Sequence, residues 1–174
     1  MVVLQESNIN FRANNYMYNI LMINLNSHKG ISDKLVDLAI TSFEALEDEY
    51  FFEVINIPTL LEVPAAISMA STTEHFQGYI ILGAFVREIE EITLYQSYIH
   101  SLARLNTVFG TAIGNGVIVA DTYEDLVVAA SDSQNQAINA VATVKQMIDI
   151  QNLFASYLLE EDFDEEQNEQ LTYS

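Results

Sequence analysis

Four segments of this chain are near-continuously apolar and strand length: residues 18–25 (YNILMINL), 51–57 (FFEVINI), 78–86 (GYIILGAFV) and 112–120 (AIGNGVIVA). Between them apolar residues recur with a helical period, as at Ile31, Leu35, Leu38, Ala39, Phe43 and Leu46. Further helices are expected over 62–71, where Pro64 falls in the first turn, and over 92–107. Thr122, followed three residues on by Asp125, starts a short helix as a weak capping-box variant, and a last helix spans about 136–159. Strands buried on both faces lose the in–out alternation of a half-exposed sheet, and strands alternating with helices make parallel connections. The expected fold is therefore α/β, a four-stranded parallel sheet with helices on both faces. Such sheets bind ligands beyond the carboxyl ends of their strands, here residues 24–30, 58–62, 85–92 and 119–122.

Charge narrows the possible partners. The 174 residues carry 25 Asp and Glu against 6 Lys and Arg, a net charge of −19. Six cations cannot build the basic face that a phosphate backbone or an anionic membrane requires, so no nucleic acid and no membrane partner is expected. Cysteine is absent, which removes disulfides, thiolate nucleophiles and cysteine-based zinc sites. Residues 1–15 lack the basic and apolar regions of a signal peptide, and the run 79–86 is far short of the ~20 residues that cross a bilayer. A cytoplasmic location is expected. Three regions are read: an N-terminal arm over 1–17, an α/β domain over 18–159, and an acidic, solvated, mobile tail over 160–174 that holds seven of the acids.

The strand ends carry a family resemblance. VINIPTLLEVPAAI (54–67), GYIILGAFVRE (78–88) and IGNGVIVADT (113–122), with the helix ISDKLVDLAITSFEAL (31–46), resemble 6,7-dimethyl-8-ribityllumazine synthases in order and spacing over about residues 18–155. The resemblance implies a flavodoxin-like sheet and a homopentamer or a multiple of it, with the active site between adjacent subunits. The N-terminal segment would pair with a neighbour's sheet. The implied reaction condenses 5-amino-6-ribitylaminouracil with 3,4-dihydroxy-2-butanone 4-phosphate in riboflavin biosynthesis. It releases phosphate and uses no cofactor and no metal.

Carried over position by position, the resemblance implies four substrate-binding residues. Leu25 stands where the family places an aromatic residue against the pyrimidine. Leu61 and Glu62 belong to the turn Pro58-Thr59-Leu60-Leu61-Glu62-Val63-Pro64, in which Thr59 and Leu60 replace glycine and alanine. Arg87 matches the arginine after strand three, and Tyr95 is matched as well. The histidine that moves protons in the family falls at Ile92, which can act as neither acid nor base. Glu88, Glu90 and Glu91 replace a small hydroxylic phosphate turn, and like charge there repels a phosphate. The arginine of the short helix after strand four falls at Ala129, and the run 133–136 has no cation.

Each candidate also has a structural reading. Glu62 is either a ribityl contact or an acid at a helix start, favoured by the macrodipole. Arg87 either faces an anion or pairs with Glu88, Glu90 or Glu91. His28, beside Lys29 at the end of the first strand, is either a substitute proton carrier or part of a solvated loop. Tyr95, Tyr98 and Ile99 read as packing or subunit contacts. The function expected is that of a divergent lumazine synthase with activity impaired or lost. The alternative is an inactive oligomeric scaffold or ligand-binding module on the same fold.

Overall fold

The computed structural model describes residues 17–46, 49–131 and 135–172, with the side chains of 89–91 and of 159 onward left aside. Elements alternate as expected: β1 (Met17–Leu25), α1 (Lys29–Glu44), β2 (Glu49–Ile57), α2 (Val63–Ser71), β3 (Gly78–Val86), α3 (Ile89–Phe109), β4 (Ala112–Ala120), α4 (Tyr123–Ser131) and α5 (Gln136–Thr172). The strands form one parallel sheet in the order β2-β1-β3-β4, a flavodoxin-like arrangement. The arm read over residues 1–17 lies, Met17 apart, outside the described residues, as do residues 133 and 134 of the run 133–136.

Strand alternation sorts the core into two layers. Ile20 and Met22 of β1 join Ile80, Leu82 and Ala84 of β3 under α1, α4 and α5. Leu21, Ile23 and Leu25 join Tyr79, Ile81 and Phe85 under α2 and α3. Because both faces are covered, the central strands are buried along almost their whole length, which explains their continuous apolar runs. Edge strand β2 is more open, with Phe51 and Val54 exposed. Helix α5 lies close on β4 at Gly114, where any Cβ would collide with the carbonyl oxygen of Ala140.

Two helix boundaries have clear local causes. Asp125 N–H donates to the Thr122 hydroxyl at 3.2 Å, and that hydroxyl donates to the Asp125 carboxylate at 2.7 Å, fixing the start of α4. Helix α5 runs to Thr172 instead of ending near Leu159. No glycine or proline follows Gly116, and Glu and Gln dominate 160–170, so helix propensity persists after the apolar period stops.

Candidate functional site

The carboxyl ends of the strands are tied together by backbone and hydroxyl hydrogen bonds. Asn26 N–H donates to the Ile57 carbonyl at 3.0 Å, and Arg87 N–H to the Ala120 carbonyl at 2.7 Å. The Ser27 hydroxyl donates to the Ala84 carbonyl at 3.0 Å. Beside this seam lies a cavity of about 400 Å³, lined by Leu60, Phe85, Arg87, Ile92, Tyr95, Gln96 and Val119. Its construction follows from register and helix period. Phe85 is near the end of β3 and Arg87 directly follows that strand, Val119 is the cross-strand partner of Phe85, and Ile92, Tyr95 and Gln96 share one face of α3. Leu60 closes the pocket from the β2–α2 turn.

Arg87 is half exposed, and its guanidinium lies 3.3 Å from the Asp121 carboxylate. That partner comes from just past the end of β4; of the partners expected from the sequence, the side chains of Glu90 and Glu91 lie outside the described residues. Both groups are well solvated, so the pair is worth about 0–1 kcal/mol and leaves the cation free to meet an anionic or carbonyl group. Ile92 lines the wall at 39% exposure. Among the described residues, Arg87 and Tyr95 are the titratable side chains that line the pocket.

The other candidates are placed differently. Leu25 is fully buried and lies across Gly83, where its side chain occupies the space a Cβ would need; it touches protein only. Leu61 is 69% exposed. Glu62 is committed to its own turn: its carboxylate accepts from the Thr59 hydroxyl at 2.7 Å and from Thr59 N–H at 3.2 Å, and Leu61 N–H donates to the Thr59 oxygen at 3.1 Å. The Thr59 hydroxyl holds the Glu62 pKa below the usual carboxylate value. Thr59, which replaces a smaller residue by resemblance, thus supplies the bonds that shape the turn. Ala129 sits on α4, and Glu88 is the exposed N-cap of α3.

The histidines are away from the pocket. His28 adopts a left-handed backbone (φ 47°) and its ring lies 5.5 Å from that of Tyr123. His75 Nε2 is 3.4 Å from Glu53, and His100 is exposed on α3. Among the described residues no group of three His, Asp or Glu side chains gathers to hold a metal ion. No helix among them is long and apolar enough to cross a membrane.

A sequence profile of the 6,7-dimethyl-8-ribityllumazine synthases matches residues 18–152, the whole sheet and its covering helices. The chain belongs to that family. Similar relatives, each named 6,7-dimethyl-8-ribityllumazine synthase, are spread through its length. The protein of Sphingopyxis alaskensis is 27% identical over 121 residues, covering 68% of this chain and 83% of its own. That of Bartonella henselae is 26% identical over 145 residues, 80% of this chain and 92% of its own. That of Erythrobacter litoralis is 33% identical over 111 residues, 62% and 76% respectively. This membership of the lumazine synthase family agrees with the β2-β1-β3-β4 sheet described above.

Sequence reasoning singled out Arg87 and Ile92, which the fold brings together, and matched Tyr95 beside them. It did not assign Leu60, Phe85, Gln96 or Val119 to the site. A signal for three of these exists: Gln96 is four residues from Ile92 on a helix, and Phe85 stands two residues before Arg87 at the end of a strand whose partner at that register is Val119.

Proposed function

We propose that this lumazine synthase family member retains a pocket for a ribityl-pyrimidine but catalyses the family condensation in a severely impaired form or not at all. The observation that carries this reading is the wall of the pocket: Ile92 occupies the place where the family resemblance puts a proton-moving histidine, among Leu60, Phe85 and Val119. General acid–base help is worth roughly 10²–10⁴ in rate, and an isoleucine forfeits it. What remains is orientation of two substrates against a largely apolar wall, with Arg87 as the one cation among the described lining residues. Of the four residues proposed as binding groups, Arg87 acts in the pocket and Glu62 acts through the turn that carries Leu60. Leu61 faces outward, where a neighbouring subunit would meet it, and Leu25 supports the sheet beneath.

The assembly proposed is a cytoplasmic homopentamer or a multiple of one. Large exposed apolar side chains at Leu61, Met69, Phe109, Val128 and Phe154 support it, because a lone subunit rarely leaves so many uncovered. Light scattering is expected to return five or a multiple of five subunit masses. The catalytic reading is tested by mixing both substrates with the protein and following lumazine absorbance. A rate close to that of the protein-free solution is expected; a thousandfold acceleration overturns it. A ribityl-pyrimidine is expected to raise the melting temperature through binding to the folded state.

A second reading, a scaffold with no small ligand, is favoured by Leu60, which is almost fully buried where the family turn carries alanine. It expects no thermal shift with any ribityl-pyrimidine.

A further inference from the structure

Behind the pocket, the Asn115 side chain of β4 lies between two phenols of α3. Its Oδ1 accepts from the Tyr98 hydroxyl at 2.9 Å and from Val117 N–H at 3.3 Å. Its Nδ2 donates toward the Tyr95 oxygen at 3.4 Å. The two ends of an amide are alike in shape, but a backbone N–H can only donate, so the end facing Val117 is the oxygen. Tyr98 must then donate to that same oxygen. Burial, with the Tyr95 phenol beside it, pushes the Tyr98 pKa far up, so Tyr98 keeps its proton. The nitrogen end carries only donors, so the Tyr95 oxygen must accept from it. The proton of Tyr95 therefore cannot be directed into Asn115, and among the described residues no acceptor takes it.

Tyr95 also lines the pocket, as does Arg87. Arg87, Tyr95 and Gln96 thus bring donors to the wall, Gln96 alone of the three bringing a carbonyl acceptor as well, and donors select acceptor oxygens. We infer that Tyr95 is the hydrogen-bond donor that reads a carbonyl oxygen on a planar heterocycle in this pocket, with Asn115 and Tyr98 as the residues that position it. The inference rests on the proposed retention of a ribityl-pyrimidine site and adds the group that recognises the ring.

The test titrates 6,7-dimethyl-8-ribityllumazine into the full chain and into the variants Tyr95→Phe and Asn115→Asp. Affinity is followed by ligand fluorescence, and the absorption band of the bound chromophore is recorded. Tyr95→Phe removes the donor and nothing else, since that hydroxyl supports no other group apart from the long bond from Asn115. Asn115→Asp is nearly isosteric but carries an acceptor at both ends, so it draws the Tyr95 proton inward while keeping the bond from Tyr98. Both variants are expected to bind about 2- to 12-fold more weakly, the worth of one hydrogen bond. Both are also expected to lose the band shift that the unmodified chain induces, which a purely structural role for Tyr95 and Asn115 would leave in place. Melting temperatures close to that of the unmodified chain exclude misfolding as the cause. Unchanged affinity and band shift in both variants, with the unmodified chain binding, overturn the assignment and leave the proposed function standing. An unmodified chain that binds no lumazine at millimolar concentration overturns the proposed function itself, and the assignment with it.

Discussion

Restoring an imidazole at position 92 should restore catalysis, because the backbone needed to present it is already in place. Ile92 sits in the first full turn of α3, its N–H bonded to the Glu88 carbonyl at 3.1 Å, and its side chain lines the pocket. Complete burial of an isoleucine is worth about 1.5–3 kcal/mol, so replacing one that is 39% exposed costs at most about 1–2 kcal/mol. That loss is survivable against the ~5–15 kcal/mol of a typical domain. The new ring would stand near Arg87 and the positive end of α3, which lower its pKa, and near Glu88, which raises it. These influences oppose one another, and an imidazole is the side chain suited to give and take a proton near neutral pH. A general acid–base group contributes about 10²–10⁴ in rate, or roughly 2.7–5.4 kcal/mol of barrier. Ile92→His is therefore expected to raise the lumazine-forming rate at least about a hundredfold over the unmodified chain. Ile92→Leu should leave it unchanged. The assay follows lumazine absorbance at saturating concentrations of both substrates, with circular dichroism checking the fold. A folded Ile92→His protein no faster than the unmodified one would refute the reasoning that position 92 is the missing proton carrier.

Leu25→Ala should cost about 2–5 kcal/mol in urea denaturation, because Leu25 is fully buried across Gly83; a near-neutral effect would return Leu25 to a ligand cleft. Gly114→Ala should destabilise by about 1–3 kcal/mol or prevent folding, since the methyl group meets the Ala140 carbonyl; a neutral result would mean α5 lies further from β4. The Thr59 hydroxyl holds the folded pKa of Glu62 below the ordinary carboxylate value, so its stabilising contribution is present above that ordinary value and is lost as pH falls through the lower folded pKa. The stability gap between the unmodified chain and Glu62→Gln should accordingly be constant from neutral pH down to about 5 and close in more acid solution. A gap that instead widens on acidification would contradict the Thr59–Glu62 pairing.

The sheet was legible because its strands are buried on both faces, and no other common element combines an eight-residue apolar run with intervening helical periods. The start of α4 was legible from Thr122 and Asp125 alone, whose side chains pair as read. The end of α5 was not, because the acidic composition of 160–170 signals solvation and helix propensity alike. Leu25 shows how site transfer by position can mislead. Strand alternation puts it on the face of Leu21 and Ile23, inside the core, whereas matching along the chain set it against a ligand. Glu62 was readable as either ligand contact or helix-start acid, and the bond to its carboxylate from Thr59, three residues earlier, was not read from the sequence. The amide linking Tyr95 to Tyr98 had no sequence signal, since Asn115 lies twenty residues from Tyr95 on a different element.

The central claim is that this pocket orients ligands without a proton-moving side chain. The most direct measurement is the ratio of the lumazine-forming rate with protein to the rate without it, at saturating substrates, from pH 5.5 to 8.5. With no imidazole and no carboxylate among the described residues that line the pocket, the ratio should be small and constant across that range. A large ratio that rises or falls through an inflection near pH 6.5 would mean that an imidazole serves the reaction, and would contradict the account.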